Sequence, residues 1–264
     1  MTRGTGRRVR SEVIASVTLL AAGLALMLGG CASRAVGADP ATAVTEPHGS
    51  AVASVGEAVS GTGPTETFPG VEFPVPEDAR SVVVEFECAG GGPFWVELGD
   101  SMMLGQAPLS GTCDGKTRLA WPVTERTGST LGVGVGEDVG WVATPTFSTE
   151  DFVYDPALTA DCASFSEIYS ALSNADIGLT HYQAFSEGDW SVRVDRAAAD
   201  LADLATSAQS SLGPAFGELQ GVVSDPGRTV GVALNDVAQG SLGVITAACN
   251  MNQTPLVVVA EFGG

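Results

Sequence analysis

The period of the apolar residues changes once along this chain, and that change constrains the fold more than any other feature. Up to about residue 149 the period is two. Val82, Val84, Phe86 and Cys88 alternate with Val83, Glu85 and Glu87; Phe94, Val96 and Leu98 alternate with Trp95 and Glu97; Leu131, Val133 and Val135 alternate with glycines. Alternation of this kind marks strands with one face buried. Leu119 with Trp121, and Trp141 with Ala143 and Phe147, mark further strands. Ala89-Gly90-Gly91-Gly92-Pro93, Leu98-Gly99-Asp100, Cys113-Asp114-Gly115 and Glu137-Asp138 read as turns between them. Many short strands with frequent turns predict a small antiparallel β-sandwich over residues 68–149.

From Asp155 onward the period is 3.6. A first helix is expected to begin near Thr159–Asp161, with Cys162, Phe165, Tyr169 and Leu172 on its apolar face and a weakening at Asn174–Gly178. Trp190 to Leu212 is the clearest helix, since Val194, Ala197, Leu201, Leu204, Ala208 and Leu212 follow three- and four-residue steps. Gly213 stops it, and Pro214 opens a short helix carrying Phe216 and Leu219. Asp225-Pro226, a capping residue followed by proline, predicts the start of a last helix lined by Val230, Leu234, Val237, Ile245 and Cys249. Short connections imply antiparallel neighbours, so residues 150–264 are expected to form a bundle of three or four helices. Pro255 to Ala260 reads as a closing strand or an extended tail.

The first thirty residues are of a different kind. Arg3, Arg7, Arg8 and Arg10 precede an apolar run from Val13 to Leu28, shorter than the roughly 20 residues that a bilayer-spanning helix needs. Charge, a short apolar run and then small residues is the layout of a signal peptide. The run ends Leu28-Gly29-Gly30-Cys31, which resembles the lipobox of bacterial lipoproteins, and the excess of Ala, Gly and Val with a single Lys resembles high-GC Gram-positive composition. The resemblance covers residues 1–31. It implies cleavage between Gly30 and Cys31, a lipid such as palmitate on the Cys31 thiol, and a chain held by that lipid on the extracytoplasmic face of the cell membrane. An uncleaved anchor and an ordinary secretory signal are the plainer alternatives.

Loss of residues 1–30 takes the net charge from −19 to −22, because that segment carries four arginines and Glu12. Lys116 is the only lysine. A polyanion of this kind repels nucleic acid and anionic headgroups. Residues 31–67, rich in Ala, Gly, Ser, Thr and Pro with no periodic apolar face, read as a disordered tether, and His48 falls within it. Cys88, Cys113, Cys162 and Cys249 remain after Cys31 is lipidated; an even number in an exported chain predicts disulfides. Cys88–Cys113 and Cys162–Cys249 are the expected pairs, since each closes within one module. Chain entropy alone would give about 3.5 kcal/mol for the shorter loop and about 4.5 for the longer. The wide spacings and the two histidines, His48 and His181, speak against a metal site.

No catalytic residue, metal ligand or cofactor motif stands out. Glu85 and Glu87, with Glu97, share an outward strand face; they would suit cation binding or paired-carboxylate hydrolysis, or form a solvated face. Trp95, Trp121 and Trp141 would suit an aromatic platform for sugar, or core packing. Gly132, Gly134, Gly136 and Gly140 echo a dinucleotide fingerprint but no βαβ unit follows. His181, Tyr182 and Glu187 form the one cluster with acid–base potential. The β stretch resembles carbohydrate-binding-like or immunoglobulin-like sandwiches in architecture alone. The expected function is therefore a non-catalytic binding module at the cell envelope, with an envelope protein or glycan as partner. A wall- or glycan-active hydrolase using surface carboxylates and a regulatory partner of a membrane protein are the rivals.

Overall fold

One long strand organises the β region. The computed structural model describes residues 52–66, 69–100, 106–232 and 235–263; the leader, Cys31 and His48 lie outside them. The strands are β1 (Ala53–Val55), β2 (Val59–Thr62), β3 (Val71–Glu72), β4 (Ser81–Leu98), β5 (Leu109–Pro122), β6 (Thr130–Gly134) and β7 (Gly140–Ser148). All pairings are antiparallel and all seven strands belong to one sheet. β5 covers one edge of β4 from Ser81 to Val96. The other edge is shared: β7 pairs with Ser81–Cys88, and β6 with Trp95–Leu98. β1 and β2 then extend β7, while β3 extends β6.

The glycine run in β4 is a bulge and not the turn expected from sequence. Between Ala89 and Pro93 the strand advances four residues while β5 advances only from Asp114 to Thr112. Gly90 and Gly91 have φ of +130° and +75°, which L side chains rarely adopt. Two surplus residues bend the strand without changing the parity of its faces. Val82, Val84, Phe86 and Cys88 before the bulge, and Phe94, Val96 and Leu98 after it, therefore all enter the same core. The result is a curled half-barrel, so the β-sandwich expectation is met only as far as antiparallel β structure. Cys88 and Cys113 are bonded across the bulge with Cα atoms 4.8 Å apart.

The tether expectation is corrected at its C-terminal end. Residues 53–55 and 59–62 are strands. Their sequence shows no apolar period because they are edge strands with little burial, held by backbone hydrogen bonds to β7. Glycine also lets them approach closely: a Cβ at Gly61 would fall 2.7 Å from the Trp141 ring. The Trp141 indole N–H donates to Gly63 O at 3.0 Å.

The helices are α1 (Pro156–Thr180), α2 (Glu187–Ser207), α3 (Gly213–Val223) and α4 (Asp236–Met251). Asp155 caps α1, its carboxylate accepting from the Ala157 and Leu158 amides ahead of the expected start. The weakening expected at Asn174–Gly178 does not break α1, because its polar residues there have partners. Asp176 accepts from Trp190 Nε1 at 2.8 Å and from the Gly231 amide at 3.0 Å. A Ser186–Asp189 capping box starts α2. Trp190, Val194, Ala197, Leu201 and Leu204 are buried along it, whereas Leu212 belongs to the turn into α3. The last helix begins at Asp236, capped by Asn235, and not at Asp225. Asp225-Pro226-Gly227 closes on itself as a turn, with the Gly227 amide 2.6 Å from Asp225 Oδ1 and the Arg228 amide 3.0 Å from Asp225 O. Val230 and Val237, expected in the core, are consequently exposed. The second disulfide, Cys162–Cys249, joins the first turns of α1 to the end of α4. Among the described residues no helix is long and apolar enough to cross a membrane.

Sheet and helices keep separate apolar cores and meet through polar groups at the end of α4. The Gln253 amide donates to Asn250 O and the Thr254 amide to Cys249 O, closing a Schellman turn with Gln253 at the left-handed position, φ +56°. Glycine usually stands there. Here glutamine's side chain reaches the sheet: Oε1 accepts from the Ala107 amide at 3.2 Å and Nε2 donates to Ala120 O at 3.3 Å. Asn252 reaches the other way, accepting from the Asp155 amide at 2.7 Å and donating to Asp155 O and Thr159 Oγ1. Gln253→Ala removes the bridge and keeps the unfavourable φ, so it should cost about 2–4 kcal/mol. Gln253→Gly relieves the φ and should be less destabilised than the alanine variant by about 1 kcal/mol. Urea denaturation of the two variants beside the parent checks both effects: an alanine variant as stable as the parent would show that the side chain does not bridge, and equal stability of the two variants would show that the φ carries no penalty.

Candidate functional site

The residues singled out by sequence are not gathered in one place. Glu85 and Glu87 do share an exposed face of β4, but Lys116 on β5 lies between them, 2.5 Å from Glu85 and 3.8 Å from Glu87. The hydrogen bond to Glu85, and then its charge, raise the Lys116 pKa. The chain's single lysine thus offsets one of the two negative charges. Glu97 lies beyond the bulge, opposite Gly132 of β6. His181 ends α1, with its amide bonded to Ile177 O and its ring edge-on to Tyr182 at 4.8 Å. Glu187 is exposed in the first turn of α2. No group of three His, Cys, Asp or Glu side chains suited to a metal ion occurs among the described residues.

The tryptophans separate as well. Trp121 and Trp141 are core residues, and only Trp95 is exposed, at 44%. Its indole lies across β6, so close to Gly134 that a Cβ there would overlap the ring. The glycine alternation of β6 therefore serves aromatic packing, as Gly111 does beneath Phe94. Trp95 borders an uncharged cleft of about 690 Å³ at the bend of the sheet, lined also by Pro93, Val135 and Val139. Gly134→Ala should displace the indole, destabilise the fold by about 1–3 kcal/mol and shift Trp95 emission to the red. Unchanged emission would mean the ring does not rest on Gly134.

The most developed surface feature involves the segment Pro255–Ala260, expected as a closing strand or extended tail; sequence reasoning missed its docking on α1. Residues 254–260 leave α4 and run extended along α1, held by side chains one helical turn apart, before the chain bends at 261–262. Ser166 Oγ accepts from the Val257 amide at 3.2 Å, Ser170 Oγ from the Val259 amide at 3.0 Å, and Asn174 Oδ1 from the Glu261 amide at 2.9 Å. Asn174 Nδ2 also donates to Val259 O at 2.8 Å, while the single Ser170 hydroxyl proton is shared between Ser166 O at 2.6 Å and Val257 O at 3.3 Å. Four helical residues rise about 6.0 Å, and two extended residues span about 6.6 Å. The i, i+4, i+8 row therefore matches every second amide of the tail, and α1 stands in for a neighbouring strand. The sequence signal was the polar spacing Ser166-Ser170-Asn174 facing an uncharged β-branched tail.

The far end of this strap is fastened more firmly. Arg193 of α2 makes a two-point ion pair with Glu261, at 2.8 and 3.2 Å, while its guanidinium lies 4.5 Å from the Phe185 ring centre. Phe262 stacks on Tyr182 at 5.6 Å and meets Phe185 over Gly178, where a Cβ would fall 2.6–2.7 Å from both phenyl rings. A groove of about 680 Å³ follows the strap, floored by Ala163, Glu167 and Ala171 of α1. On the strap itself Val257, Val258 and Val259 are 60%, 47% and 69% exposed.

The hydrogen bond from Arg193 lowers the Glu261 pKa below the ordinary 4.5. A depressed carboxylate pKa stabilises the docked strap above the ordinary value, and that contribution is lost as pH falls through the lowered one. Amide exchange at Glu261 and Phe262, corrected for its intrinsic pH dependence, should accelerate as pH falls below the ordinary carboxylate value of 4.5. Glu261→Gln should abolish that dependence; an identical profile in the variant would remove the ion pair from the account.

No family model, curated protein or solved structure matches this chain.

Proposed function

We propose that this chain is a membrane-anchored extracytoplasmic lipoprotein, tethered by a lipid on Cys31, that serves as a non-catalytic binding or interaction module at the cell envelope. The leader and the Leu28-Gly29-Gly30-Cys31 pattern support the address, and two disulfides suit an oxidising compartment. The observation that carries the binding role is the strap: an uncharged extended segment from Thr254 to Ala260, clamped at both ends, with three exposed valines. Exposed apolar surface of this kind marks an interaction site. The sheet serves beside it as a small sandwich-like module, since Phe86 packs against Phe94 and Trp141 across the curl. The hydrolase reading gains nothing from Glu85 and Glu87, whose charge is shared with Lys116.

Two measurements test the reading together. Cys31→Ser should move the protein from the membrane fraction to the soluble fraction, and unchanged fractionation would remove the lipid anchor. In intact cells a photoreactive residue in place of Val258 should give a discrete crosslinked envelope species, whereas one in place of Val142, exposed on the sheet, should not. Equal labelling from both positions would count against the strap as the contact surface.

A further inference from the structure

We propose that the strap is the receiving edge for strand addition by a basic, extended polypeptide segment of another protein. This deepens, and rests on, the reading of the strap as a binding surface.

The backbone of the strap is only half satisfied. The amides of Val257, Val259 and Glu261, with the carbonyls of Val257 and Val259, point at α1 and are bonded there. In extended chain successive residues point their backbone groups to opposite sides. Val258 and Ala260 therefore direct their N–H and C=O groups away from α1, and those groups have no hydrogen-bond partner among the described residues. Folded proteins usually protect such an edge with charge, a bulge or a covering element. This edge has none of the first: from Thr254 to Ala260 no residue is charged, and three consecutive valines favour strand pairing. The ladder on α1 fixes the segment in extended form, which removes much of the ordering entropy that an incoming strand would otherwise meet. Strand addition to an exposed edge is a recurrent mode of peptide recognition.

Charge selects the occupant. Glu167 lies on the floor of the groove beside Val257 and Val259, exposed and without an ion pair among the described residues. Of the two arginines near the end of the strap, Arg193 is committed to Glu261, and Arg196 shares its pocket with Asp189 and Asp200. The chain without residues 1–30 carries −22, so a second copy approaching edge to edge would meet strong repulsion. A strand with lysine or arginine among small apolar residues would gain both the backbone bonds and the Glu167 carboxylate.

The test uses the full-length chain in detergent and the synthetic peptide KVTVKV, capped at both ends, with EVTVEV as its charge-reversed control. KVTVKV should slow amide exchange in residues 254–261 by about tenfold or more at saturation, and EVTVEV should not. Val258→Pro deletes one outward donor while fitting extended backbone and leaving the three α1 bonds in place. It should weaken KVTVKV binding by about tenfold, measured by fluorescence anisotropy, with the thermal midpoint of the free protein little changed. Glu167→Lys should remove the preference for KVTVKV over EVTVEV. Undiminished binding to Val258→Pro, equal binding of the two peptides, or a dimer in sedimentation velocity that Val258→Pro dissociates would each overturn the proposal. Crosslinking from position 258 that persists with none of these peptide effects would leave the strap a binding surface and remove only strand addition.

Discussion

Two adjacent side chains at the end of α4 hold the parts of this protein in register. Asn252 ties the start of α1, and Gln253 ties the sheet at Ala107 and Ala120. The Schellman turn that brings them there also aims Thr254 and the strap along α1. Both side chains are buried, so their hydrogen bonds are obligatory. The Cys162–Cys249 disulfide lies one turn away and limits how far α1 and α4 can separate when this joint is strained. Two apolar cores that do not merge are thus coupled by a few directional polar contacts, which fix orientation more sharply than apolar packing would.

The strap depends on that orientation. An extended chain beside a helix ordinarily leaves its amides to water, because a helix offers no free backbone acceptors along its side. Ser166, Ser170 and Asn174 supply acceptors at the helical repeat of four, and the near match between four helical and two extended residues lets three successive bonds form without strain. The arrangement keeps a strand-like segment in place with its second edge turned outward. A flexible tail of the same composition would have to lose backbone freedom before it could pair with anything.

The sheet follows a related economy of space. Trp141 over Gly61, Phe94 over Gly111 and Trp95 over Gly134 each lay an aromatic ring on a neighbouring strand where a Cβ would collide. Large apolar area is buried in a small module, and the disulfide across the β4 bulge holds the bend that brings the rings together.

From the sequence alone, the change of apolar period located the passage from strands to helices, and the buried faces of β4 and α2 follow from alternation and from three- and four-residue steps. The cysteine pairs were also legible, because each pair closes within one module. These features are local, written in residue order by the geometry of single elements. Tertiary structure decided the rest. The Gly90–Gly92 run reads equally as a turn or a bulge until β5, β6 and β7 are in place. Edge strands 53–62 have no apolar signature, because their stability lies in backbone bonds to a strand some 85 residues away. Lys116 meets Glu85 and Glu87 only through cross-strand register. The Ser166–Ser170–Asn174 row acquires its meaning only when a tail more than 80 residues further on is laid against it. Each of these depends on long-range pairing, which residue type and spacing along one element do not encode.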